Sequence, residues 1–346
     1  MCRETSTGPQ PELPWKPKIV LSVLSALTDA LQRPNGTMNR RIHDFVDLKA
    51  KARDIPVRGV KTSDVTVDAT RNLWFRLYTP TDNAAKADVT LPVIVYFHGG
   101  GFAFFSPGSI FYHDFCLRLA RKIPAIVISV NYRLAPEHRF PSQYEDGFET
   151  LKFLDDAKIP NFPENADLSK CFLAGDSAGA NLAHHVAIRI GEAEFRNVRV
   201  IGQISIQPFF GGEERTESEI RLTKAYLVTM PRTDWVWRVF LPEGENRDHE
   251  AVNVTGPKAV NIMGVKYPET MVVVGGFDTL QDRQREFCKW LRRSGKEVKL
   301  IEYPSAVHAF YFFPELPETS QLMEEARDFV HQISDKMRVE VSKSKT

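Results

Sequence analysis

Cys171-Phe172-Leu173-Ala174-Gly175-Asp176-Ser177-Ala178-Gly179-Ala180-Asn181-Leu182-Ala183 is the stretch from which the fold can be read. Cys171 to Ala174 is a short apolar run of strand type, and Ala180 to Ile190 carries a helical pattern. Between them, Gly175-Asp176-Ser177-Ala178-Gly179 has the G-x-S-x-G form of a nucleophile elbow in its required strand, turn and helix context. Small residues flank the serine because the turn is tight and strained, and it must lift a hydroxyl above the sheet with a helix starting directly behind it. The helix N-terminus favours negative charge developing nearby. Ser177 is the candidate nucleophile, and Asp176 is expected to be a structural acid beside it.

Upstream, Val93 to Phe97 is an almost wholly apolar run typical of a buried strand, and it ends in His98-Gly99-Gly100-Gly101-Phe102. A carbonyl under nucleophilic attack becomes an oxyanion, and backbone N–H groups can reach it only where side chains do not obstruct the approach. Gly100 and Gly101 are the expected donors, joined by the N–H of Ala178. His98 is expected to organise the loop rather than to react. A serine hydroxyl needs a base, and in hydrolases of this type the partners follow in the order serine, acid, histidine. Asp278 lies just past the apolar Met271 to Val274 run, and His308 follows the next strand pattern, Val298 to Glu302. Asp282 is the rival acid, but it falls one turn into the following helix. His331, the only later histidine, falls within a helix pattern.

Strand patterns also occur at Leu73 to Tyr78, Ala125 to Val130 and Ile201 to Ile206, and helix patterns at His113 to Lys122, Tyr144 to Asp155, Gln281 to Arg293 and Ser320 to Ile333. Strands alternating with helices predict an α/β protein with a mostly parallel sheet covered on both faces. Residues 57–335 are expected to form this catalytic domain, with a helical cap inserted at about 213–254. Residues 1–14 read as a flexible tail and 336–346 as a polar tail. Within 15–56, Ile19, Val20, Val23, Leu24, Leu27 and Leu31 recur at helical spacing, and Pro34-Asn35-Gly36 ends the run. That helix either packs on the core or covers a binding pocket.

Composition narrows the partners. Lysine and arginine number 45 against 44 aspartates and glutamates, so nothing supplies the basic excess that nucleic acid would call for. No stretch approaches the ~18 consecutive apolar residues of a membrane span. Glu4, Glu12 and the polar residues within Ile19 to Leu31 argue against a secretory signal. The 4 cysteines are too scattered for a metal site or a disulfide scaffold. The expectation is a soluble, cytoplasmic protein, with the nucleus also open, that needs no metal, nucleotide or redox cofactor.

Taken together, His98 to Phe102, Asn131-Tyr132-Arg133-Leu134-Ala135-Pro136-Glu137 and Gly175 to Gly179 resemble the hormone-sensitive-lipase-like carboxylesterases, in particular those of plants. The resemblance spans roughly Val57 to Ile333. It implies an α/β-hydrolase fold and a catalytic set of Ser177, Asp278 and His308. Asp278-Thr279-Leu280 departs from the commoner Asp-Pro-Leu while keeping the acid. Arg33 to Arg40 and Phe210 to Glu219 also look like segments of plant gibberellin receptors, which bind rather than hydrolyse and lack the catalytic histidine. His308 is present here, Thr28 stands where the receptors carry a hormone-contacting tyrosine, and Arg232-Thr233-Asp234-Trp235 alters their acidic-basic pair.

These features point to hydrolysis of small hydrophobic carboxylic esters, with hormone binding or lyase chemistry on the same scaffold as alternatives. Phe102, Phe105, Tyr112, Tyr132 and Trp235 are the candidate pocket walls, with Phe104 and Trp237 near them.

Overall fold

A computed structural model describes residues 11–81, 89–156, 159 and 162–343. Its centre is an eight-stranded sheet in the order β1-β2-β4-β3-β5-β6-β7-β8. The strands are β1 (Val60–Asp68), β2 (Leu73–Pro80), β3 (Leu91–Phe97), β4 (Ile126–Asn131), β5 (Ala166–Asp176), β6 (Val200–Ile206), β7 (Glu269–Phe277) and β8 (Val298–Val307). β1 and β2 run antiparallel at one edge, and every pairing from β4 to β8 is parallel. β1 was not expected as a strand. Val60 and Thr62 are buried on one face and Val65 and Val67 pack toward the other, so no single alternation marks it, and it gains its order by pairing with β2 at the sheet edge.

Alternation along each strand divides the core in two. Val93, Val95 and Phe97 of β3 face Leu151, Leu154, Leu182 and Val186 of α4 (Ser142–Asp156) and α5 (Ala178–Gly191). Ile94 and Tyr96 face the opposite way, toward Phe115 and Leu119 of α3 (Ile110–Lys122) and Phe329 of α9 (Pro317–Lys343). A strand buried on both faces reads as a continuous apolar run, which is why β3 and β4 were legible. α8 (Gln281–Arg293) packs Phe287 and Leu291 on Val272 and Val274 of β7.

α9 continues to Lys343, into the stretch expected as a polar tail. Of the N-terminal tail, residues 1–10 lie outside those described, and 11–14 precede α1 (Trp15–Leu31) without regular structure. A short α2 (Arg40–Val46) follows. The insertion at 213–254 is mainly turns around two helices, α6 (Glu217–Arg221) and α7 (Met230–Phe240). Among the described residues no helix is long and apolar enough to cross a membrane, and no cluster of His, Cys, Asp or Glu could hold a metal ion. Cys116, Cys171 and Cys288 are free and buried.

Candidate active site

Loops at the C-terminal ends of β3, β5, β7 and β8 converge on one cavity, where an open parallel sheet places its functional groups. Gly100, Gly101, Ser177 and His308 all line it. Ser177 has φ 51° and ψ −119°, a strained conformation for a residue with a side chain. Gly179 permits it. A Cβ there would lie 1.9 Å from the carbonyl oxygen of Phe97, so only glycine lets α5 start this close to β3.

His308 follows β8 and is bound through Nδ1 to Asp278 Oδ2 at 2.8 Å. Asp278 is completely buried at the end of β7, and it also accepts from Gln284 Nε2 (2.8 Å) and the N–H of Leu280 (3.0 Å). With that carboxylate ionised, Nδ1 carries the proton and Nε2 is left as the basic nitrogen. No hydrogen bond joins Ser177 to His308 in this state; such contacts are often loose until substrate is present. Asp282 points elsewhere. Its Oδ2 accepts from the N–H of Ser218 at 2.7 Å and anchors α6. His331 is exposed on α9.

Gly100 has φ 95°, and a Cβ on it would meet the Phe104 carbonyl oxygen at 2.6 Å and the Phe105 ring at 2.7 Å. Among the described residues nothing accepts from the N–H groups of Gly100, Gly101 or Ala178; Gly100 and Gly101 line the cavity, and Ala178 follows Ser177 at its edge. The glycine loop is fixed from behind. His98 bonds the Gly99 carbonyl through Nδ1 (2.9 Å) and stacks on Tyr132 at 4.3 Å; burial pushes its pKa down to about 3, which keeps it neutral. Asp176 is buried and accepts from Tyr96 (2.5 Å), Tyr112 (2.9 Å), Tyr311 (2.7 Å) and the N–H of Gly99 (2.9 Å). Burial raises its pKa, while the tyrosine hydroxyls pull it back down.

Pocket walls expected from sequence divide. Phe105, Tyr112 and Phe104 line the cavity. Phe102, Tyr132, Trp235 and Trp237 do not. Phe102 turns into the core and stacks on Phe240 at 4.0 Å. Tyr132 donates to the His98 carbonyl at 2.6 Å, and Trp235 Nε1 donates to the Arg33 carbonyl at 2.8 Å. Trp237 stacks on Phe209 at 4.0 Å. In each case a partner outside the cavity satisfies the ring.

Other site residues had no local signal in the sequence. Gln207 accepts from the Ala309 N–H (3.0 Å) and donates to the Val307 carbonyl (3.2 Å), holding the backbone on both sides of His308. The roof is contributed by Leu24 and Thr28 of α1, by Gln32 just past its end, and by Leu227, Val228, Arg232, Thr233 and Val236 in and before α7. Arg232 binds Asp29 of α1 through two bonds of 2.6 and 2.7 Å, and the Leu227 N–H donates to Ser25 at 3.0 Å. Leu21 and Leu31 of the same helix are buried in the core, so α1 both packs and covers.

The sequence of residues 94–312 matches the family described as the alpha/beta hydrolase fold. The chain is 40% identical over 329 residues to a gibberellin receptor of Arabidopsis thaliana, covering 92% of this chain and 94% of the receptor. It is 36% identical over 291 residues to carboxylesterase 20 of the same plant, covering 82% and 88%. Among solved structures, an ester hydrolase from the metagenome of Lake Arreo superposes with a TM-score of 0.71 at 26% identity, over 92% of this chain and 98% of that one. The matched sequence, the mostly parallel sheet and the strand-to-helix turn at Ser177 agree: the chain belongs to the α/β-hydrolase fold family.

Proposed function

We propose that this protein is a serine carboxylesterase acting on small hydrophobic carboxylic esters. Ser177 Oγ attacks the ester carbonyl while His308 Nε2 takes its proton, and Asp278 holds the histidine tautomer and stabilises the imidazolium. The oxyanion is received by the N–H groups of Gly100, Gly101 and Ala178. His308 then returns the proton to the departing alcohol. Water attacks the acyl-enzyme by the same route and releases the acid, so water is the only co-substrate.

The observation that carries this reading is the His308 to Asp278 bond, with His308 lining the same cavity as Ser177 and the unclaimed N–H donors of Gly100 and Gly101. A histidine held in one tautomer by a fully buried carboxylate is what a general base acting on a serine requires. The relatives include both receptors and carboxylesterases, and this pair favours the latter for this chain. The apolar wall of Phe104, Phe105, Phe111, Phe209 and Phe312 suits a hydrophobic acyl or alcohol group.

The test is hydrolysis of short-chain p-nitrophenyl esters by the wild type, Ser177→Ala and His308→Ala. Each substitution is expected to lower kcat by up to ~10⁶. A folded wild type no faster than Ser177→Ala would overturn the esterase reading and turn attention to hormone-like ligands and elimination substrates.

A further inference from the structure

Ser177 and His308 share no direct bond, so their spacing depends on what each is fastened to. Ser177 follows β5 and His308 follows β8, with β6 and β7 between those strands in the sheet. One segment reaches both. At the end of β6, residues 206–209 bracket Ser177 through the backbone: the Ser177 N–H donates to the Ile206 carbonyl (2.9 Å), and the Phe209 N–H donates to the Ser177 carbonyl (3.0 Å). The fully buried side chain of Gln207 brackets His308 in the same way, accepting from the Ala309 N–H (3.0 Å) and donating to the Val307 carbonyl (3.2 Å). To do so it crosses β7. Gly275 of β7 leaves the room, since a Cβ there would lie 2.5 Å from Gln207 Nε2. Pro208 reaches toward the acid: its carbonyl accepts from Gln284 Nε2 at 3.4 Å, and the same nitrogen donates to Asp278 Oδ2 at 2.8 Å.

We propose that residues 206–209 set the register between nucleophile and base, and that Gln207 is the positioning residue through which this segment aims His308. This deepens the esterase reading and rests on it. A carboxamide is the group that the place requires. It offers an acceptor and a donor side by side, as a peptide unit does, and so pairs with one N–H and one carbonyl of the turn that carries His308. Val307 and Ala309 are buried, and losing the carboxamide leaves both backbone groups unpaired. Gln207 (φ 45°) and Ala309 (φ 69°) both lie in the left-handed region, where residues with side chains persist only if their surroundings over-determine them. Released from Gln207, the turn after β8 would relax and carry the imidazole with it. A displacement of about 1 Å can cost 10²-fold in rate.

The experiment measures hydrolysis of p-nitrophenyl butyrate by the wild type, Gln207→Leu and Gln207→Glu across the pH range, with Gln207→Leu repeated in the His308→Ala background. Gln207→Leu is expected to lower kcat by about 10²-fold and to leave KM within about threefold, because only the alignment of the base is lost. In His308→Ala the same substitution should change kcat by less than about threefold, since no base is left to aim. Gln207→Glu is the conservative rescue. A protonated carboxyl has the donor and acceptor of the amide, and burial can hold it protonated to about pH 8–9. Its kcat should stay near that of the wild type at neutral pH and fall in alkali, where the wild type does not. A folded Gln207→Leu with kcat within about threefold of the wild type overturns the proposal, as does an equal loss in the His308→Ala background. If Gln207→Leu does not fold, Gln207→Glu decides, and a pH profile that follows the wild type throughout overturns the proposal. The low-field proton signal of the His308 to Asp278 bond, identified by its loss in His308→Ala, reads the same geometry without turnover, and it should shift or broaden in Gln207→Leu. A response of that signal in a protein that hydrolyses no ester would reject the esterase reading and keep the clamp. Ester hydrolysis with kcat and signal both indifferent to Gln207→Leu would do the reverse.

Discussion

Below the substrate cavity, Asp176 accepts four hydrogen bonds, Asp278 three, and Gln207 holds the chain on both sides of His308. Above it, α1 and the turn that follows it are tied to α7 and the segment before it by one ion pair whose aspartate is 59% exposed, by the Ser25 and Trp235 bonds, and by Arg238 on the Pro34 carbonyl. The floor is over-determined and the roof is lightly fastened. A transition state needs groups held within a fraction of an ångström, which only a buried, multiply bonded frame provides. Admission and selection of substrate need a surface that can give way.

The largest effects should come from loosening the floor. Asp278→Asn keeps the shape but can leave His308 in the wrong tautomer, and kcat for a p-nitrophenyl ester should fall by about 10⁴ with little change in melting temperature. Gly100→Ala is next. Its Cβ has no room between Phe104 and Phe105, and at φ 95° it would be strained even with space, so the loop must shift and misdirect at least one donor. Loss of one such donor costs about 10² to 10³ in kcat. A fall smaller than tenfold in either variant would mean that the floor tolerates displacement and that the contrast with the roof is overdrawn.

What could be read from the sequence follows the same division. The floor was legible because its chemistry is local. A serine between small residues, three consecutive glycines and an acid at a strand end are each constrained by their immediate neighbours, and β3 to β8 announced themselves by apolar runs. Its supports were not legible. Tyr96, Tyr311 and Gln284 reach their carboxylates through side chains whose roles depend on tertiary placement, and Gln207 contacts residues 100 and 102 positions away. The roof was half legible. Apolar periodicity revealed α1, yet the pairing of Asp29 with Arg232 spans 203 residues and leaves no trace in either local pattern. Aromatic residues misled in both regions, since Phe102 and Tyr132 find partners in the core and Trp235 finds one in the turn after α1, instead of facing the cavity.

Acid should separate the two regions. Burial holds His98 and His185 down to about 3 and His184 well below its ordinary value, so all three stay neutral in the folded floor. In the unfolded chain they take up protons near pH 6.5. The unfolded state therefore binds more protons below that pH, and stability should be lost as the pH falls from about 6.5 toward 3. At pH 5 the loss is about 2 kcal/mol for each of His98 and His185, from ~1.4 kcal/mol for each pH unit below 6.5, and His184 adds in the same direction. Asp176, raised by burial, opposes this with at most one proton against three. Urea melts at pH 7.5 and pH 5 measure the difference, and His185→Gln should shrink it by about one histidine's share. An unchanged difference would show that His185 is not held neutral.

The smallest change in stability should come from the roof. Asp29→Ala removes a pair that is largely exposed on the aspartate side, and such pairs contribute about 1 kcal/mol or less. The melting temperature should hardly move, because Leu21 and Leu31 still anchor α1 in the core. If the roof only admits and selects, kcat stays within about twofold while KM for a hydrophobic ester rises a few-fold, and salt raises the wild-type KM in the same direction by screening the pair. A kcat loss beyond tenfold in Asp29→Ala would instead mean that Arg232 must be fixed for the chemistry itself. The roof would then belong to the catalytic frame, and the distinction between a rigid floor and a yielding cover would have to be given up.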